Sequence, residues 1–334
     1  MNGVDCAVIE EASGLDALVP EWWDLWRRRP DALPFLTPVW LTAWWRHFSP
    51  GPLFVLTARR EGRLIGLAPG YIEDGPLGRR VLPLGISLSD HLDILADPDC
   101  EAAALAGLAD AALSRADAWD VWELEELPPD AVALRLPLPH GWHETSHEQT
   151  PCPLLTFAGN PSFPSDFPRC KRRHLNLARN RVGRRGEHHI ELAQDAGVQA
   201  ALEHLFRLHR LRWESRGGAG VLAPAAVQAF QRDATPGLQK AGLLRLYTLA
   251  IGEDVVAAHY QLLHGRRSYE YLTGFDPAYE FESPGLILFA HAIEQAAAAG
   301  CTEVDLLRGG EPYKYEWGAV DRWNCKRSIR RAGQ

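Results

Sequence analysis

The sequence predicts an α/β chain built from two similar lobes, and three observations carry that prediction. A hairpin, an alanine-rich helix and a short strand occur in that order twice, at nearly constant offset. Proline-rich segments separate the two occurrences. The composition is that of an ordinary globular chain, 46% hydrophobic and 23% charged over 334 residues, a length that suits two domains or one large one.

The first hairpin is LFVLTARREGRLIGLAPGYIE, residues 53–73, two apolar runs about a polar turn at Glu61 and Gly62. Residues 101–116, EAAALAGLADAALSRA, follow as a helix and 120–127, DVWELEEL, as a strand. The second occurrence takes its hairpin from 243–263, turning at Gly252 and Glu253, its helix from 285–300 and its strand from 303–309. Between them lie LPPDAVALRLPLPHG and PCPLLTFAGNPSFPSDFP, whose prolines interrupt regular structure. The expected boundary falls near residue 150, with a first lobe over 1–150 and a second over 151–334.

Charge and cysteine usage exclude several classes. A formal net charge of -8 repels phosphate-coated partners except at a local basic patch, so a general DNA or membrane-surface binder is not expected. The six cysteines are scattered without a C-x-x-C pair, which indicates neither a disulfide framework nor a zinc knuckle. Cys170 with His174, and His188 with His189, fall short of a ligand set, so no metal is expected. The acidic start MNGVDCAVIEEASG has no apolar core, and no run approaches the ~20 residues of a membrane span. A soluble cytoplasmic protein is the expectation.

The second occurrence carries the sharper signals. Strand RSYEYLTGF, 267–275, leads through DPAYEFESPG to a helix start with Ser283 at the N-cap and Pro284 at the first helical position. Leu286, Ile287, Ala290 and Ile293 keep helical spacing until Gly300. Such a strand–helix–strand unit makes a crossover between parallel strands, right-handed by the general rule, and leaves the helix N-terminus beside the carboxyl edge of the sheet. Free N–H groups in that first turn suit a pyrophosphate, with Gly285 permitting close approach; plain capping chemistry is the alternative. The first-lobe helix instead starts among Asp97, Asp99 and Glu101, carboxylates that neutralise the dipole and repel an anion.

Three ordered blocks resemble the CelD-like branch of the GNAT acyltransferase superfamily, relatives of the FemX-type aminoacyl transferases. They are LHRLRWESRGG (208–218), YLTGFDPAYEFESPGLIL (271–288) and DLLRGGEPYKYEW (305–317), with FLTPVWLTAWW and SLSDHLDIL agreeing more loosely in the first lobe. The resemblance implies two tandem GNAT-like lobes, each a mixed, mostly antiparallel sheet flanked by helices. It also implies one acyl-donor site in the second lobe, where a coenzyme A thioester enters between strands that splay apart, here 268–275 and 303–308. Phe275, Ser283, Gly285 and Leu286 are the expected donor-binding positions.

Residues beyond the second strand then face the acyl carbonyl. Direct acyl transfer needs a deprotonated amine, a stabilised oxyanion and a proton for the leaving group. Lys314 is the expected oxyanion cation, Glu311 the base and Tyr313 the acid; Arg308 pairs with a substrate carboxylate or fixes Glu311. Candidate acceptor contacts are His259 and Tyr260, with a buried core pair as the alternative, Asp90 and His91, set between an acceptor pocket and a plain polar loop, and Trp317, set between packing and substrate. The basic stretch 169–186, RCKRRHLNLARNRVGRRG, places Leu175, Ala178 and Val182 on one helical face; its arginines are a solvated face or meet the phosphates of coenzyme A, a phosphorylated acceptor or tRNA. The expected activity is acyl-CoA-dependent N-acylation of a small-molecule amine. Aminoacyl-tRNA-dependent transfer is the rival, weakened by the absence of a heptad run for a coiled-coil arm, and a fold-only scaffold is the third option. Oligomeric state is unassigned.

Overall fold

Both predicted hairpins form, and each closes on residues at positive φ: Glu61 and Gly62 in the first, Gly252 in the second. The computed structural model describes residues 3–157 and 165–331; residues 158–164, inside the proline-rich stretch expected to join the lobes, lie outside the described residues. The chain divides into two units, Met1–Pro151 with Arg322–Gln334, and Cys152–Asp321.

The first unit contains β1 (Val4–Ile9), α1 (Ala12–Arg28), α2 (Pro38–Phe48), β2 (Val55–Arg60), β3 (Arg63–Ala68), β4 (Gly70–Gly75), β5 (Gly78–Pro83), β6 (Leu95–Ala96), α3 (Glu101–Ser114), β7 (Val121–Leu127) and β8 (Trp142–Pro151). One sheet has the order β1-β2-β3-β6. In the other, Trp323–Arg331 is inserted between β7 and β8, beyond β4 and β5. This corrects the expectation that the second lobe runs to residue 334. The stretch WNCKRSIRR lacks the apolar alternation that marks a strand, because its buried positions are largely polar and paired. Arg327 donates to the carbonyls of Ala133 and Leu136 and to Glu144, and Ser328 donates to Glu123. As expected, the start of α3 is closed by carboxylates: Asp97 accepts the Asp99 N–H and pairs with Arg28, and Glu101 pairs with Arg29 and Arg135.

The second unit contains β9 (Leu154–Thr156), α4 (Arg169–Arg185), β10 (His188–Leu192), α5 (Gly197–Glu214), α6 (Ala225–Lys240), β11 (Leu244–Ile251), β12 (Asp254–His264), β13 (Arg267–Phe275), α7 (Pro284–Ala298), β14 (Glu303–Asp305) and α8 (Pro312–Tyr315). Its single sheet has the order β10-β11-β12-β13-β14-β9, antiparallel except for β13 with β14. Ile287, Leu288, Ala290 and Ile293 of α7 share one core with Leu249, Val256, Ala257 and Val304, and Leu175, Ala178 and Val182 of α4 join it. Each fully buried Leu or Ile is worth roughly 1.5–3 kcal/mol. This narrow apolar stripe anchors α4 while most of its arginines stay at the surface.

Two backbone features set the geometry around β13. At Gly274 an added Cβ would stand 2.5 Å from the His209 nitrogen, so only glycine lets α5 lie this close to β13. The β12–β13 register shifts between Tyr260 and Gln261, pairing Gln261 with Glu270 and Tyr260 with Leu272. Tyr271 is the extra residue of a bulge. Among the described residues no helix is long and apolar enough to cross a membrane.

Candidate active site

The parallel pairing of β13 with β14 covers only Arg267–Glu303, Ser268–Val304 and Tyr269–Asp305, after which β13 runs on to Phe275 alone. The expected splay is therefore present. Its second strand is shorter than the expected 303–309 because the chain turns at once: Leu307 adopts φ 59° and Asp305 Oδ1 accepts the Leu307 N–H at 2.9 Å.

A cavity of about 310 Å³ lies at this opening. Thr273 and Phe275 of β13 line it, as do Ser283, Pro284, Gly285, Leu286 and Phe289 at the start of α7 and Tyr313 and Trp317 beyond β14, with Glu280, Lys171 and Arg212 completing the wall. Six of the residues named from sequence thus meet in one place: Phe275, Ser283, Gly285, Leu286, Tyr313 and Trp317. Trp317 serves packing as well, edge-on to Phe167 at 4.9 Å and against Phe289 at 5.2 Å.

The helix start differs in detail from expectation. Ser283 sits at φ 53° and its hydroxyl donates to the Glu280 carbonyl rather than into α7. Leu286 and Ile287 donate back to the Ser283 carbonyl. The end of α7 thus has no side-chain cap, and the Gly285 N–H is the donor left over in its first turn among the described residues. An added Cβ at Gly285 would stand 3.3 Å from Phe275 Cδ1, a tight contact that a shift of the ring by a few tenths of an ångström relieves.

Two cations join this wall. The Arg212 guanidinium lies over Phe275 at 5.1 Å, donates from Nη1 to the Thr273 carbonyl at 3.1 Å, and keeps a buried Nε with no hydrogen-bond partner among the described residues. Burial, with Arg216 second, lowers its pKa. Lys171 is buried, paired with Glu316 and 5.2 Å from the Trp317 ring. The Tyr313 residue is 43% exposed, and desolvation of its phenol, with the Glu311 charge next, pushes its pKa up to about 12, so it carries its proton at neutral pH.

Lys314 is elsewhere, and this corrects its expected role. Its side chain is 3% exposed, and Nζ donates to the carbonyls of Leu307, Arg308 and Gly309 at 3.0, 2.7 and 3.0 Å and pairs with Glu311 at 2.9 Å. An ammonium has three hydrogens; all are committed to folding the 306–314 loop, and Lys314 does not line the cavity. Glu311 is correspondingly a partner of Lys314, and Arg308 contributes its carbonyl to the same knot. Asp305 and Lys314 of the D-x-L-R-G-x-E-x-Y-K block therefore build the loop that presents Tyr313.

The acceptor candidates also resolve. Tyr260 is fully buried on the α6 side, 3.4 Å from the Thr235 hydroxyl, and burial raises its pKa; it is core. His259 is fully buried between Glu270 and Thr273, each 2.6 Å from a ring nitrogen, and does not itself line the cavity. In the first unit His91 is buried with Nδ1 3.1 Å from Asn324 Oδ1, and the Asp90 carbonyl accepts from Asn324 Nδ2, so both tie the loop before β6 to the final strand. Sequence reasoning did not single out Thr273, Arg212 or Phe289. Thr273 stands two residues before Phe275 and Phe289 one turn after Gly285, and that periodicity was the available signal. Among the described residues no three metal-binding side chains come together.

Residues 169–315 match the family model of the acetyltransferase (GNAT) domain. The crystal structure of FemX superposes with a TM-score of 0.65 at 13% identity, over 97% of this chain and 96% of that one. The chain has a GNAT-superfamily, FemX-related fold. Two further structures agree: the C-terminal domain of a putative lysylphosphatidylglycerol synthetase from Agrobacterium fabrum, TM-score 0.60 at 12% identity over 96% and 92%, and L-PGS from Bacillus licheniformis, 0.56 at 14% over 96% and 92%. No curated protein matches by sequence. The GNAT match runs from α4 to α8 and contains every residue lining the cavity except Trp317.

Proposed function

We propose that this protein is an N-acyltransferase that moves an acyl group from an acyl-CoA thioester to an amine of a small-molecule acceptor. The observation that carries the reading is the cavity itself: it opens where β13 and β14 part, beside an uncapped helix start, with a protonated phenol on its far wall. Acyl-CoA supplies an activated acyl carbon and a thiolate that leaves readily.

The residues present fit such a donor. Phe275, Leu286 and Phe289 offer an apolar wall to its extended arm, and the positive end of α7 with the Gly285 N–H faces its pyrophosphate. A second, open cavity of about 430 Å³ lies along α4, lined by Arg181, Arg184, Arg185 and Asn180 and by Phe281 and Glu282 just before α7. Arg181 stacks on the exposed Phe281 ring at 4.0 Å and donates to its carbonyl; this groove is the place for the nucleotide phosphate. At the reacting end Tyr313 holds a proton for the departing sulfur. Arg212, half desolvated and with Nε unpaired, is the cation available to developing negative charge in place of Lys314.

The α4 arginines also favour the second reading, transfer from an aminoacyl-tRNA, whose backbone they would meet. The test is thermal: coenzyme A raises the melting temperature under the first reading, whereas a response to aminoacyl-tRNA with none to any CoA ester moves the assignment to the second.

A further inference from the structure

We propose that Thr273, His259 and Glu270 form a proton relay that acts as the base of the acyl transfer, with the Thr273 hydroxyl as its cavity end. The inference rests on the acyltransferase reading. His259 Nδ1 is 2.6 Å from Thr273 Oγ1, and Nε2 is 2.6 Å from Glu270 Oε2. The His259 and Glu270 side chains are 0% and 2% exposed, while Thr273 lines the donor cavity. The chain of hydrogen bonds therefore starts in the core and ends on the cavity wall.

The bulge builds this arrangement. Glu270 and Thr273 are three residues apart on β13, and in a regular strand they would face opposite ways. The extra residue at Tyr271 restores Glu270 to the face that Thr273 shares, opposite Gln261 and His259 of β12. Gln261 Nε2 and Ser268 Oγ donate to Glu270 Oε1 at 2.8 and 3.0 Å. The carboxylate takes the Nε2 hydrogen as it takes these two, which leaves Nδ1 as acceptor for the Thr273 hydroxyl. Phe289, edge-on to the imidazole at 5.6 Å, separates it from the rest of the cavity. A network that served packing alone would need no end on the cavity wall.

The step balances. The acceptor nitrogen bonds to the acyl carbon as its proton passes to Thr273 Oγ1 and the threonine's own proton passes to His259 Nδ1. The carbon–sulfur bond breaks and the sulfur takes the Tyr313 proton. An imidazolium facing Glu270 and a phenolate remain, and proton return through cavity water restores both. Glu311, the base expected from sequence, is committed to Lys314. Glu280 is the one carboxylate on the cavity wall among the described residues, and it is exposed.

The experiment uses acetyl-CoA as probe, with water and ethanolamine as acceptors, on wild type, Thr273→Val, Thr273→Ser and Glu280→Gln. Thr273→Val is expected to lower kcat by about 10²–10³-fold, the usual scale for a lost general base, at unchanged KM for acetyl-CoA, with Thr273→Ser within a few-fold of wild type and Glu280→Gln, on the same wall, losing far less than Thr273→Val. The melting shift with CoA is expected to persist in all four proteins. Nitrogen-15 spectra of the histidines, read without substrate, are expected to show a His259 Nδ1 that bears no hydrogen and that shifts in Thr273→Val but not in Thr273→Ser. A protonated Nδ1, undiminished turnover in Thr273→Val, loss in Glu280→Gln alone, or a wild type that binds CoA yet cleaves no thioester overturns the relay. Absence of a CoA shift in wild type overturns the donor reading instead, and the imidazole spectrum then still decides whether the relay exists.

Discussion

Replacing Lys314 by methionine separates loop-building from chemistry. Methionine keeps the length of the stem and removes the ammonium, leaving the Leu307, Arg308 and Gly309 carbonyls, which now accept at 2.7–3.0 Å, without their donor. A hydrogen bond to a charged group contributes about 1.5–3 kcal/mol, and the three do not add, because they share one cation. The expected cost is about 3–5 kcal/mol, from about 1–3 kcal/mol for each buried carbonyl left without a donor, less what relaxation of the loop recovers. The Glu311 side of the pair adds little, since that carboxylate is 55% exposed. For a unit of this size each kcal/mol moves the melting temperature by roughly 2–4 °C, so a fall of roughly 10 °C is expected by circular dichroism. Lys314→Arg should recover only part, because a planar fork cannot aim three donors where one ammonium does. A melting temperature within about a degree of wild type, together with a collapsed turnover number, would refute this reasoning and return Lys314 to the reacting centre.

The same geometry fixes four further outcomes. Gly285→Val should abolish the CoA-induced rise in melting temperature, worth about 2.7 kcal/mol at a hundredfold excess over Kd, with little change in the unliganded protein; a retained shift would place the pyrophosphate elsewhere. Arg181→Glu with Arg184→Glu should weaken CoA binding more at low salt than at high salt and more for CoA than for 3′-dephospho-CoA, checked by titration calorimetry. Tyr313→Phe should lower kcat about a hundredfold at unchanged donor affinity, and because burial holds the phenol pKa up to about 12, the wild-type rate profile should show no basic limb from it below about pH 10. Burial depresses the His209 pKa from 6.5 to about 4, so its neutral form stabilises the folded state above pH 6.5, and that stability, about 3 kcal/mol, is lost as pH falls through 4. Urea denaturation at pH 7 and pH 4 should show a smaller difference in His209→Asn.

The parts of the fold read from sequence are those that local chemistry specifies. Gly62 and Gly252 mark the hairpin turns, Pro284 fixes the first residue of α7, and the carboxylates at Asp97 and Glu101 mark the closed copy. The cavity wall was partly legible: Ser283 and Gly285 follow from the chemistry of the helix start, and Phe275 and Leu286 from the resemblance carried by residues 271–288. What escaped depends on contacts between distant residues. Whether Lys314 points to substrate or to its own loop is decided by the left-handed turn at Leu307, which no residue type announces. The relay was hidden by the bulge at Tyr271, because alternation read through it puts Glu270 on the wrong face of β13. The last strand was missed because its buried positions are filled by Asn324, Arg327 and Ser328, which only paired partners make tolerable.

The measurement that bears most directly on the donor assignment is an equilibrium titration of the full-length protein with acetyl-CoA, run beside Gly285→Val and beside an aminoacyl-tRNA competitor. Saturable one-to-one binding that Gly285→Val removes and tRNA does not displace is the predicted result. Binding that survives Gly285→Val, or no acetyl-CoA binding beside tight binding of the aminoacyl-tRNA, would contradict the account.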